Sequence, residues 1–307
     1  MNTSVDSNST LLSSFSEHLL SVQYVLYTAA ISINLILVFS PPSFPVSTQY
    51  VLYTAAISIN LILGLPTNVY ILWLIVTGAV GTMASDFFSL NLAVSEILSI
   101  LSNLMFIVHQ LLLENDVLRS VGTFFTGFNL FGRPLFQCCI CVERYLAVVH
   151  PVTFLKYKPL RYRVGCCGVV WMMVLGFCFA KLLGKYQSAW WKIFTLILNL
   201  LTVSVMLFCC LAVLWALKRP GPGEGEREGE GMNNMKLRAF RIISMIIVSM
   251  LVMYLPLVLL LVSYHFIESV ELLGGWSICY SITVVSGFVQ PLLFLHRSGK
   301  LPCVRGP

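Results

Sequence analysis

Residues 131–151 read FGRPLFQCCICVERYLAVVHP. The stretch closes an apolar run at 121–147, yet it carries Arg133 within the run and Glu143-Arg144 near its end. An ionised side chain in a membrane-spanning segment is costly, and is usually found facing a bundle interior with a partner. Arg133 lies 11 residues before Arg144, about three turns of helix, so the two share a face. That face must look toward other helices.

The rest of the chain supplies them. Of 307 residues, 58% are hydrophobic and 10% charged, and the mean hydropathy is +0.86; a soluble domain is about a quarter charged. Runs of about 20 apolar residues, enough to cross roughly 30 Å of hydrocarbon as a helix, fall near 19–40, 50–77, 87–113, 121–147, 164–183, 193–217, 242–266 and 276–295. The fold class is an all-α integral membrane protein whose first partner is the lipid bilayer. Cys138, Cys139, Cys141, Cys166, Cys167, Cys178, Cys209, Cys210 and Cys279 sit in or beside these runs and read as thiols packed like small apolar groups; Cys303 lies in the tail. The net charge of +6 is spread over the connections, which excludes a nucleic-acid patch. No metal-ligand cluster or cofactor motif stands in the sequence, and no His cluster, Ser/Lys or paired-Asp arrangement suggests an enzyme within the spans.

Basic residues orient the chain. Arg144, Lys156, Lys158, Arg161 and Arg163 follow the 121–147 run; Lys218, Arg219, Arg227, Lys236, Arg238 and Arg241 follow 193–217; Arg297, Lys300 and Arg305 end the chain. Together they are 14 of the 19 Lys and Arg, which places these segments and the C-terminus in the cytoplasm. Residues 1–18 hold no Lys or Arg and carry sequons at Asn2 and Asn8, favouring a glycosylated outer N-terminus. An outer N-terminus and an inner C-terminus require an odd number of spans, and eight candidates is one too many.

A repeat resolves the count. QYVLYTAAISINLIL occupies 23–37 and again 49–63, without a change in fifteen positions. The second copy runs on through GLPTNVYILWLIV as a full span, whereas the first stops at the prolines of VFSPPSFP. The second copy is therefore read as the first span. The first is surplus: an addition to the fold, a cleaved segment or an error of gene assembly, although 18 polar residues without a basic region before it argue against a signal peptide. The expected organisation is an extracellular tail at 1–18, an extra apolar segment and Pro-rich linker at 19–48, a seven-transmembrane-helix bundle at 49–297, and a short cytoplasmic tail at 298–307.

On seven spans, Glu143-Arg144-Tyr145 at the inner end of the third resembles the Asp/Glu-Arg-Tyr motif of the rhodopsin-like (class A) G-protein-coupled receptors. Other marks follow in order. Asn68 stands where the family has its first-helix Asn; Asn91 to Glu96, NLAVSE, resembles Asn-Leu-Ala-x-x-Asp with Glu for Asp; Trp171 matches the fourth-helix Trp. Met250, Tyr254 and Pro256 resemble Phe-x-x-x-Trp-x-Pro with both aromatics altered, and Gln290-Pro291-Leu292-Leu293-Phe294 resembles Asn-Pro-x-x-Tyr. The resemblance covers residues 50 to about 298 and extends to short-loop peptide, nucleotide and orphan receptors.

It implies a plasma-membrane receptor whose cytoplasmic helix ends open to engage a heterotrimeric G protein. Glu143 would restrain Arg144 at rest, with no other acid evident at the base of the bundle, and the proline kinks at Pro256 and Pro291 would let helices pivot. In the family a sodium ion sits between the second-helix acid and a small polar residue of the third helix. Here the Arg133 guanidinium is expected to pair with Glu96 and replace the ion; a static ion pair is the alternative reading. Lys236, Arg238 and Arg241, after the Gly/Glu-rich linker RPGPGEGEREGEG, belong either to the G-protein surface or to topology anchoring. An outer ligand pocket would draw on His109, Gln110, Lys181, Asn199, His265 and Tyr280, and the pair Lys181 and Lys185 points to an anionic ligand.

Departures from the pattern leave other readings open. Arg119 stands where the family has a disulfide Cys, the outer loop GKYQSAWWK is short, the fifth span lacks its Pro and inner Tyr, and Phe294 replaces the Tyr of the seventh. A non-signalling relic of a receptor is one alternative. A transporter or channel is another, but neither diverged half-repeats nor charges distributed along a pore are visible.

Overall fold

The computed structural model describes residues 54–79, 86–109, 116–184 and 189–218, and toward the C-terminus 249, 251, 253–256, 258–259, 262, 279, 281–284, 287 and 289–298. The regular elements among them are all helical. They are α1 (Thr54–Val76), α2 (Phe87–Val108), α3 (116–149), α4 (Pro151–Tyr157), α5 (Leu160–Leu182), α6 (Ala189–Lys218) and α7 (Val289–Ser298). The first copy of the repeat and the linker after the fifth span lie outside the described residues.

Four helical stretches among these are long and apolar enough to cross a membrane: Thr54–Val76, Phe87–Met105, Leu160–Leu182 and Ile193–Leu217. The charged α3, at about 1.5 Å per residue, runs about 50 Å and is also long enough to cross. Among the described residues α1 lies on α2, α2 on α3, α3 on both α5 and α6, and α7 on α1.

The surface is inverted relative to a water-soluble protein. Ile62, Val69, Trp73, Val169, Met172, Phe208 and Trp215 are exposed, while Asn60, Asn68, Glu96, Asn129, Arg133 and Gln137 are buried. Lipid tails accept the first set, and only protein can satisfy the second. Apolar packing then divides by position. Phe88, Phe128, Phe131, Phe136 and Phe177 join α2, α3 and α5, with Phe131 and Phe177 stacked at 3.9 Å between ring centroids. Cys141, Met206, Cys210 and Tyr254 join α3, α6 and the sixth span. Ile71, Leu74, Ala93 and Leu295 join α1, α2 and α7.

Prolines shape two of the helices. In α3, the π-turn Phe128–Gly132 separates Asp116–Gly127 from Arg133–Val149. The backbone N–H of Arg133 reaches the Phe128 carbonyl, five residues back, just before Pro134. In α1 the π-turn Asn60–Gly64 precedes Pro66 in the same way, with the Leu65 N–H on the Asn60 carbonyl. A proline ring has no N–H and crowds the carbonyl four residues back. A widened turn relieves that crowding and keeps the helix continuous.

Helix limits differ from those expected. α3 begins at Asp116 rather than near 121, and α5 begins at Leu160 rather than near 164, since Pro159 holds an extended backbone and starts a helix directly after it. Arg161 and Arg163, counted with the inner loop above, therefore stand on a helix. α4, which the sequence did not indicate, opens with Pro151 in its first turn.

Candidate functional site

The centre of the bundle is built around Arg133. Leaving the π-turn of α3, its guanidinium meets Glu96 of α2 through both carboxylate oxygens, Nε to Oε1 and Nη2 to Oε2, the latter at 2.5 Å. Its Nη1 donates to the backbone carbonyl of Thr283 in the seventh span. Arg133 is 1% exposed and Glu96 2%, so a planar fork and a bidentate acceptor are matched out of solvent. Three segments of the bundle are thus fastened at one residue.

Gly287 makes the room. A Cβ there would lie 2.7 Å from Arg133 Nη2, 3.0 Å from Glu96 Oε2 and 3.2 Å from Asn60 Oδ1. The site has no space for a side chain on that face. One turn along α3 from Arg133, Gln137 accepts a 2.8 Å hydrogen bond from the hydroxyl of Tyr254 in the sixth span. Asn68 donates to the Gly64 carbonyl at 2.8 Å, and Trp171 of α5 donates to Asn91 Oδ1 of α2 at 2.8 Å.

At the end of α3, Glu143 forms an ion pair with Arg163 of α5 at 2.5 Å, with side chains 9% and 6% exposed. Next to it Arg144 is half-buried. The Tyr145 hydroxyl hydrogen-bonds to His150 Nε2 at 3.0 Å where α3 ends. At the other end of α3, Lys181 of α5 donates to the Thr126 hydroxyl at 2.7 Å. A cavity of about 440 Å³ between the ends of α3 and α5 is lined by Asp116, Val117, Ser120, Val121, Phe124, Phe125 and Leu182; none of the residues named above for a ligand pocket lines it.

The pattern of a seven-helix bundle with an Arg at the end of its third helix has counterparts among known proteins. The family model of the 7 transmembrane receptor (rhodopsin family) matches residues 67–191. The C-C chemokine receptor type 8 of Homo sapiens is 27% identical over 260 residues, covering 76% of this chain and 68% of that receptor. The G-protein coupled receptor 35 of Homo sapiens is 27% identical over 234 residues, 71% of this chain and 70% of that one. The proteinase-activated receptor 3 of Rattus norvegicus is 31% identical over 118 residues, 37% of this chain and 32% of that one.

These matches support a rhodopsin-like seven-transmembrane receptor. It is a multi-pass protein of the plasma membrane.

Within this receptor the residues named from sequence fall into three groups. Glu96 and Arg133 come together as a bidentate pair. Glu143, expected above to restrain Arg144, forms an ion pair with Arg163 of α5. The cause is the early start of α5, which lifts Arg163 into the bundle. Pro291 and Phe294 lie in α7, Phe294 packing against the α1–α2 cluster, while Pro256 is half-buried beside the fully enclosed Tyr254.

Of the pocket candidates, Asn199 donates to the Thr195 carbonyl of its own helix at 2.9 Å. His109 is half-buried just past the end of α2, and Arg119 is exposed. Gln110, His265, Tyr280, Lys236, Arg238, Arg241, Asn2 and Asn8 lie outside the described residues, and of Gln290 only the backbone position in α7 is described. Gln137, Thr283, Gly287, Asn60 and Arg163 belong to the site and were missed. Gln137 was within reach, because a Gln four residues after a buried Arg repeats its helix face.

A sodium ion, implied by the family, does not fit here. The guanidinium already occupies both oxygens of Glu96, and Gly287 lies so near that a Cβ there would stand 3.0 Å from Oε2.

Proposed function

We propose that this receptor is a signal transducer and not an enzyme: an extracellular ligand shifts a two-state equilibrium, the inner helix ends part, and a heterotrimeric G protein engages Arg144. The observation that carries the reading is the inner end of α3. Glu143 is held across the helix gap by Arg163 beside the half-buried Arg144, so separating α3 from its neighbours changes what both charges touch. Tyr145, Lys236, Arg238 and Arg241 are assigned to the same inner surface. Asn68, Tyr254, Pro256, Gln290, Pro291 and Phe294 are assigned to the core that rearranges, with the Arg133–Glu96 clamp in the place of a sodium ion.

On the outer half, Lys181 favours an anionic ligand. Among the described residues its hydrogen-bond partner is the Thr126 hydroxyl and no carboxylate forms an ion pair with it. An ammonium has three donors, and a ligand carboxylate or phosphate would supply the missing charge. The N-terminus is assigned to the outside and the C-terminus to the cytoplasm on the distribution of Lys and Arg.

The test is reconstitution in lipid nanodiscs with purified heterotrimers of each major class. Expected is a complex that survives nucleotide removal, dissociates on adding a non-hydrolysable GTP analogue, and is lost in Arg144→Ala. Failure of all classes to form a nucleotide-sensitive complex, with the receptor folded by thermal melt, would favour the non-signalling reading.

A further inference from the structure

The inner half of α3 carries Cys138, Cys139 and Cys141, and each flank meets a thiol on a neighbouring helix. Cys139 Sγ stands 3.8 Å from Cys166 Sγ of α5. Cys141 stands 3.9 Å from Cys210 of α6. The two pairs differ in burial: Cys141 and Cys210 are enclosed by protein, whereas Cys166 lies on the outer surface of α5, within two turns of its start, and Cys139 is half-buried.

Position gives the first pair its meaning. Cys139 precedes Glu143 by four residues on α3, and Cys166 follows Arg163 by three on α5. On each helix these are neighbours on one face. The thiol contact and the Glu143–Arg163 ion pair are therefore two rungs between the same two helices, about one turn apart.

We propose that Cys139 and Cys166 form an oxidation site at which a peroxide converts two thiols into a disulfide, fastening α3 to α5 beside the Glu143–Arg163 ion pair. The exposed Cys166 reacts first: its sulfur attacks the peroxide, the O–O bond breaks, and Cys166 becomes a sulfenic acid with release of water or an alcohol. The Cys139 sulfur then attacks the Cys166 sulfur; the S–S bond forms, the S–O bond breaks, and the hydroxide leaves with the Cys139 proton as water. Two thiols give up two electrons, and one peroxide takes them. Closing from 3.8 Å to a disulfide length requires about 1.8 Å of sulfur movement, within the reach of side-chain rotation. The buried pair at Cys141 and Cys210 is shielded from the oxidant and stays reduced.

The experiment treats the full chain in membranes with hydrogen peroxide, blocks the remaining thiols with N-ethylmaleimide and maps the peptides without reduction. Expected is a linked Cys139–Cys166 peptide pair two hydrogens lighter than its parts, abolished by dithiothreitol, absent in Cys139→Ser and in Cys166→Ser, and retained in Cys141→Ser. The wild-type map stands alone if a variant fails to fold. Oxidation of Cys166 only to sulfinic or sulfonic acid, or a link joining Cys141 to Cys210 or Cys166 to Cys167, overturns the proposal. The readout is a covalent bond, so it is independent of G-protein coupling.

Discussion

A buried guanidinium is stable only while its carboxylate is present, so Arg133 and Glu96 should behave as a unit. Removing one partner from a buried pair costs roughly 3–5 kcal/mol, because the other charge is left unpaired. Arg133→Met and Glu96→Gln should each lower the unfolding temperature in detergent strongly, and the double variant should recover most of the loss; additive losses would rule out the coupling. The same geometry predicts that sodium leaves the receptor's stability and signalling unchanged in the wild type, which parallel melts in sodium and in N-methylglucamine would check. Gly287→Ala should destabilise by about 1–3 kcal/mol through crowding, and by less in an Arg133→Met background, where the atom it would strike is gone. The pair was legible in the sequence because each charge interrupts an apolar run. The Thr283 carbonyl and Gly287 were not: a main-chain acceptor has no letter of its own, and a glycine marks only where a side chain is missing.

At the scale of the helix, the π-turns explain where face arithmetic works and where it fails. Between Arg133 and Arg144 the helix is regular, and the eleven-residue spacing read from sequence keeps its meaning. Across Phe128–Gly132 one extra residue turns the helix by about 100°, so positions before the turn cannot be phased from positions after it. The junction of α3 with α5 depends on the same kind of detail, since Pro159 decides where α5 starts and hence that Arg163 reaches Glu143. Arg163→Met should leave Glu143 buried with its ion pair broken and lower the unfolding temperature. Glu143→Gln in that background should restore part of it. If the Arg163 variant melts like wild type, the ion pair contributes nothing to holding α3 against α5, and the resting state of Arg144 needs another support.

For the whole molecule the open quantity is parity. α1 holds most of the second copy of the repeat, packs on α2 and is met by α7, which is consistent with the proposal that residues 19–48 are surplus to the bundle. Each membrane crossing reverses the side on which the chain emerges, and the proposed orientation puts the basic segments after α3 and α6 in the cytoplasm. The glycosylation state of Asn2 and Asn8 therefore counts the crossings before α1. In the full-length chain we expect a mobility shift that glycosidase removes, and the same shift after deletion of residues 19–48, with thermal stability unchanged. If the first copy crosses the membrane, the outcome inverts: the full-length chain is unglycosylated, and the deletion switches glycosylation on because one crossing has been lost. That inversion would place the N-terminus in the cytoplasm and make the repeat an eighth span, so the paired measurement distinguishes a surplus segment from a structural one where either alone would leave an unused sequon as an explanation.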